Sequence, residues 1–170
     1  MSMIGIIRIG CLVLVGGIGT SLSAATHRTD NFEVSAESAE LAKEIAHHAE
    51  KWRRILARRW LKQPLLDWEH SCRIDVTTRA TGGTGWTDYH FLEGQLVRIG
   101  IRLEGPCECL LEYVLPHELT HVVLVTAVGK AIPRWADEGA AMMAESQAQQ
   151  QRQRLRVRQL LKSDERIPLG

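Results

Sequence analysis

The sequence predicts an α+β fold: one compact domain on a small, mainly antiparallel sheet, with helices packed against it. Three observations lead there. The chain has 170 residues, the length of a single domain. From about residue 35 to 62 the apolar residues recur at helical spacing. Between residues 73 and 103 the pattern changes to alternation rich in β-branched residues, and from Cys107 onward it is helical again.

Residues 1–25 stand apart from this domain. Arg8 supplies a short positive region, Ile9 to Ile18 is apolar with interspersed glycines, and Ser23-Ala24-Ala25 has the small residues of a cleavage site. The run is too short and glycine-rich for a comfortable membrane span. We read a signal peptide cleaved after Ala25, with residues 26–170 as an extracytoplasmic domain, periplasmic or secreted. An uncleaved membrane anchor is the alternative. Of 21 Lys+Arg, only Arg8 falls in the leader, so residues 26–170 balance the 20 Asp+Glu. Such neutrality argues against a nucleic-acid partner, because phosphate binding needs a basic excess. Cys72, Cys107 and Cys109 remain beyond the leader. Export favours a disulfide from Cys72 to Cys107 or Cys109, with one thiol left over.

Asn31 to Val34 alternates and reads as a first strand. Ser35 is a good N-cap for a helix whose apolar face carries Leu41, Ile45, Ala49, Trp52, Ile55, Leu56 and Trp60. Glu37, Glu40 and Glu44 crowd its start; Arg53, Arg54, Arg58, Arg59 and Lys62 crowd its end. The helix dipole favours that polarity, so the basic cluster reads as a solvated face. Pro64 ends the element. Arg73 to Arg79 is a strand, Thr81 to Gly85 a glycine-rich turn, and Trp86–Leu92 with Gln95–Leu103 a hairpin across Glu93-Gly94.

Helix formers then run from Cys107 to Val128, Gly129 reads as the stop, and Pro133 as a restart. Pro116 lies inside this helix, where it removes a donor for the Glu112 carbonyl and predicts a kink or restart. Trp135, Met142 and Met143 read as core of the next helix. From Gln147 to Lys162 the chain is Gln- and Arg-rich without an acid, a last helix with a solvated basic face.

The chemistry concentrates in Leu115-Pro116-His117-Glu118-Leu119-Thr120-His121 and Pro133-Arg134-Trp135-Ala136-Asp137-Glu138-Gly139. One helical turn separates His117 from His121, so both imidazoles share a face about 6 Å apart and can converge on one Zn²⁺. Glu118 flanks that face, where a general base should stand. A third ligand is needed, and Glu138 in the first turns of the following helix offers it. Asp137 competes, but points to another face and is one methylene shorter.

H-E-L-T-H followed by P-R-W-A-D-E-G resembles the gluzincin metallopeptidases, most closely the small peptidase MA-like domains whose third-ligand helix reads W-x-x-E-G. The resemblance is sharpest over residues 111–141 and looser from Asn31 onward. It implies a zincin-like fold for residues 26–170, a zinc ion held by His117, His121 and Glu138, and Glu118 as general base in peptide-bond hydrolysis. It also implies that the strand before the active helix holds an extended substrate, with Leu96, Arg98 and Gly100 as the candidate edge. In the larger gluzincins a Tyr or His well after the glutamate ligand binds the oxyanion, and no Tyr or His follows His121 here. Tyr89, His90 and Tyr113 lie upstream. Arg166-Ile167-Pro168-Leu169 resembles the opening of a further segment in relatives, so the domain could be C-terminally short of them.

The expected partner is a peptide or protein substrate, with no stable membrane span after signal cleavage and a monomeric state. The alternatives are a non-catalytic zincin-like domain that binds metal in the cell envelope, and an interaction protein in which the motif is incidental.

Overall fold

The computed structural model describes residues 24–162. Residues 1–23, most of the stretch expected to be a signal peptide, and residues 163–170, with the Arg166–Leu169 segment, lie outside the described residues. The architecture is α+β, a five-stranded sheet in the order β1-β2-β3-β5-β4 with helices on one face.

The sheet begins with β1 (Ala25–Arg28) and β2 (Phe32–Ala36), an antiparallel pair. The strand expected at Asn31–Val34 is therefore β2, shifted toward its C-terminus, and β1 before it was not anticipated. Helix α1 (Ala39–Leu61) follows, capped by Ser38, whose hydroxyl accepts from Leu41 N at 3.1 Å. Ser35 is not the cap because it is still paired in the sheet, opposite Asp75. The helix ends ahead of Pro64, at Lys62 in the left-handed region (φ 60°).

Strand β3 (Cys72–Thr78) runs parallel to β2, and β5 (Gln95–Gly105) runs parallel to β3. Strand β4 (Thr84–Leu92) returns antiparallel to β5 through Glu93-Gly94, both at positive φ, the two-residue hairpin turn the sequence indicates. Two pairings are parallel and two antiparallel, so the sheet is mixed rather than mainly antiparallel. The cause is α1: a strand–helix–strand crossover returns the chain to the same end of the sheet, and β3 must then lie parallel to β2.

Alternation along the central strands sets the two faces. Phe32, Val34, Ile74, Val76, Ile99, Ile101 and Leu103 point inward and are buried beneath α1 and α3. The opposite face carries surface ion pairs, Arg73–Asp75 at 3.1 Å and Arg98–Asp88 at 3.7 Å.

The helical stretch expected from Cys107 divides into α2 (Cys107–Cys109), a π-helical turn (Leu110–Val114) and α3 (Leu115–Val128). The irregularity expected at Pro116 is this wide turn immediately before it, in which Leu115 N donates to Leu110 O. Gly129 closes α3 at φ 68°, its N–H bonded to Val125 O at 2.9 Å. Helices α4 (Arg134–Ala144) and α5 (Gln147–Lys162) complete the described chain. No helix among the described residues is long and apolar enough to cross a membrane.

Several side chains depart from expectation. Arg53 is not solvated with its basic neighbours but 3% exposed. Its guanidinium binds the Leu66 carbonyl, lies 3.7 Å from Asp67 and sits 4.7 Å over the Trp68 ring. Trp135 is 82% exposed and Met143 about half exposed, so neither is core. Cys72, Cys107 and Cys109 are all free thiols, and Cys72 is buried on β3.

Asn31 organises the segment that returns from α1 to β3. Its amide donates to Glu50 Oε1 and Oε2 at 3.2 Å and to Asp67 Oδ1 at 3.0 Å, while its carbonyl accepts from Trp68 N at 2.9 Å. An alanine there would remove all of these bonds and leave Glu50 and the Trp68 N–H without them in a partly buried place. Asn31→Ala is expected to lower stability by roughly 2–4 kcal/mol in urea unfolding, several net hydrogen bonds at about 1 kcal/mol each.

Candidate metal centre

The site forms where α3 and α4 face each other across the short 129–133 connection. His117 and His121 project from α3, one turn apart, with ring centroids 5.1 Å from each other. His117 Nε2 lies 3.7 Å from Glu138 Oε2, and its Nδ1 is 2.8 Å from Glu145 Oε1. His121 Nδ1 lies 2.9 Å from Asp137 Oδ1. The early histidine thus meets the end of α4 and the later histidine its beginning, so the helices run antiparallel.

This arrangement bears on the tautomer of His117; His121 Nδ1 and Asp137 Oδ1 are close but form no hydrogen bond. A carboxylate at Nδ1 favours the proton there and leaves Nε2 with its lone pair, the form in which imidazole ligates a metal. One ligand atom from each of His117, His121 and Glu138 lies within 4.8 Å of the others. Tetrahedral ligation at about 2.0–2.1 Å brings ligand atoms to roughly 3.4 Å of one another, so a small contraction of this set would close it on a metal. The donor set, two imidazoles and one carboxylate, suits Zn²⁺. Asp137 is not a member, because its carboxylate is turned to His121 Nδ1. Glu145, which the sequence did not single out, supports His117.

Glu118 occupies the other side of the site, 6% exposed. Thr87 Oγ1 of β4 donates to its Oε2 at 2.8 Å and lies 3.2 Å from its main-chain oxygen. Gly85, two residues earlier on the same face, lets the strand approach: a Cβ there would stand 2.7 Å from Glu118 Cγ, 2.8 Å from Oε1 and 2.8 Å from Val114 Cγ1. Burial raises the pKa of Glu118, and the neighbouring His117 and His121 and the Thr87 hydroxyl oppose that rise. Glu138 moves the other way: the His117 imidazole 3.7 Å away holds its carboxyl low against the cost of burial, helped by the charges of His121 and Arg134.

The structure separates the remaining candidates. Tyr89 follows Thr87 by two residues and shares the helix-facing side of β4; burial and the charge of Asp137 raise its hydroxyl pKa, keeping it a donor. His90 points to the opposite side of the strand. Tyr113 packs where a Cβ at Gly83 would be 2.5 Å from its hydroxyl, and it bonds to Cys109. Gly100 of β5 is not at an edge, being paired with Arg73 on one side and Asp88 on the other. Leu96 and Arg98 pair only with β4. The edge strand that reaches Glu118 is β4.

No family model, curated protein or solved structure matches this chain.

This geometry has two measurable consequences. Gly85→Ala forces Glu118 or β4 to move and is expected to lower stability by about 1–3 kcal/mol, read from thermal melts. In metal-free protein, burial works against protonation of His117, but the nearby Glu138 carboxylate, the hydrogen bond with Glu145 and the charges of Glu118 and Glu145 outweigh it and raise its pKa to about 9. The stability this gives is fully present below the unfolded value near 6.5 and is lost as pH rises through about 9, by at most roughly 3 kcal/mol. Denaturant titrations of metal-free protein between these two pH values measure it.

Proposed function

We propose that residues 26–170 are an exported, zinc-dependent peptidase of the gluzincin type, with Glu118 as general base. The observation that carries this reading is the convergence of His117, His121 and Glu138, one ligand atom of each within 4.8 Å of the others, with Glu145 hydrogen-bonded to His117 Nδ1. The HExxH and WxxEG resemblance supports it independently.

A divalent ion in this place supplies Lewis acidity for a carbonyl and acidity for a water. The rest falls to the chain itself. His117, His121 and Glu138 would hold the ion, and the carboxylate of Glu145 would orient the His117 ring. Glu118, its pKa raised by burial, is suited to take a proton from the attacking water and return it to the leaving amine. Strand β4 has an unpaired edge and carries Gly85 and Thr87 against Glu118, so an extended peptide pairing with that edge would lie beside the base. The substrate role that the resemblance assigns to Leu96, Arg98 and Gly100 passes in this proposal to β4. Tyr89 is the residue on that strand suited to donate to a developing oxyanion.

A second reading has its own observation: no Tyr or His follows His121, so the domain would hold metal without turnover. Elemental analysis and peptide cleavage separate the two. Wild type is expected to carry about one zinc per chain and to lose it in Glu138→Ala. Glu118→Gln is expected to keep the zinc and to lose hydrolysis by roughly 10²–10⁴-fold. Zinc with no cleavage by wild type would favour the second reading, and no zinc at all would end both.

A further inference from the structure

Helix α5 is not accounted for by the ligand set. None of its residues is buried, yet its first turn is fastened to α4 at one place. The Gln150 side chain donates from Nε2 to the main-chain oxygens of Glu145 at 2.9 Å and Met143 at 3.1 Å. Both belong to the last carbonyls of α4, which have no partner within their own helix. Ser146 starts the next helix, with Gln150 N bonded to its carbonyl at 2.9 Å.

Glu145 is the residue where α4 stops, with an extended backbone (φ −66°, ψ 164°). From this turn its side chain reaches back into the protein, 6% exposed, with Oε1 on His117 Nδ1 at 2.8 Å. Its Oε2 is buried without a hydrogen-bond partner, and no Lys or Arg among the described residues forms an ion pair with it. A carboxylate in that position is costly unless a positive charge opposes it, and among the described residues His117 is its one ion-pair contact. When the imidazole is neutral, as a metal ligand must be, a cation on its far side would supply the opposing charge. The burial thus suits a group that works through His117.

We propose that Glu145 and Gln150 are positioning residues of the metal centre: Gln150 fixes the turn after α4, the turn aims Glu145, and Glu145 sets the tautomer and plane of His117. Helix α5 would then govern metal affinity although it contributes no ligand. The inference rests on the metal-binding half of the function proposed above, and not on peptidase activity.

The test is the zinc dissociation constant of the full chain, measured by competition with a chromogenic chelator. The variants are Glu145→Ala, Glu145→Gln and Gln150→Ala, with Gln153→Ala on the same helix as control. Glu145→Ala is expected to weaken zinc by about 10–100-fold, Gln150→Ala by less in the same direction, and Gln153→Ala by no more than about twofold. Glu145→Gln keeps an acceptor for Nδ1–H and should recover part of the loss. Cobalt(II) provides a readout that general loss of stability would not move: the visible absorption of the loaded Glu145→Gln protein should shift from wild type, because the His117 ring is held differently.

If Glu145→Ala does not fold, Glu145→Gln and Gln150→Ala decide. Zinc affinities and cobalt spectra equal to wild type in the folded variants would overturn the inference alone. A wild type that binds zinc and cleaves nothing would remove the peptidase reading, and the same affinities would still decide this one. A wild type that binds no zinc would remove both.

Discussion

The site depends on one constraint: α4 must lie antiparallel to α3 at a register that puts a carboxylate on Nδ1 of each histidine. Histidines one turn apart on a helix are common and do nothing by themselves, because a free imidazole chooses neither tautomer nor plane. Here the choice is made from outside the helix. Asp137 and Glu138 are adjacent and so face different sides of α4, which lets one meet His121 while the other stands near His117 Nε2. Glu145 comes nearly two full turns after Glu138, so it returns to almost the same face and meets the same histidine from its other nitrogen. A slip of one residue in the α3–α4 register would break all three relations together. Gly129 and Pro133 bound the connection tightly enough to restrict such a slip.

The second wall is β4, and its contribution is closeness. A glycine at 85 brings the strand against Glu118, and a threonine at 87 binds the carboxylate that this approach has dehydrated. The two effects pull the carboxyl in opposite directions. Burial favours the neutral acid; the hydroxyl and the imidazoles favour the ion. A general base needs that compromise, because a fully solvated carboxylate is too weak a base and an unaided buried one keeps its proton. The cost is concentrated electrostatics, with Glu118, Asp137, Glu138 and Glu145 around two imidazoles. In the absence of metal the fold answers by raising the pKa of His117.

How much the sequence could reveal depends on how local each signal is. The convergence of His117, His121 and Glu138 was legible because their relation is set by helix periodicity and by one short connection. The β4–β5 hairpin was legible because Glu93-Gly94 fits a specific turn. Partners that meet only in three dimensions were not. Glu145 looked like one acid among many at the end of a helix, and Thr87 like one more strand residue. Arg53 was grouped with its basic neighbours, although a 3.6-residue period puts it one turn from Ala49 and Leu56 on the buried side. The mixed sheet was legible in principle: strand, long helix, strand is the pattern of a parallel crossover, but the hairpin further along the chain carries the stronger local signal.

The π-helical turn before α3 shows how the backbone around a sequence motif can depart from a regular helix. Pro116 has no N–H, so in a regular helix the Glu112 carbonyl would lose its bond and the ring would press on that turn. The chain instead widens across Leu110–Val114, closing with the bond from Leu115 N to Leu110 O. One extra residue in a turn rotates the upstream part of the helix by about 100° relative to the downstream part. Leu110 and Val114 at the ends of the turn and Leu115 and Leu119 after it can therefore all be buried, while His117 faces α4 and Glu118 faces β4. The proline that looks like a defect inside α3 sits where the helix changes register, and that change of register permits a largely apolar helix to present polar groups along one side.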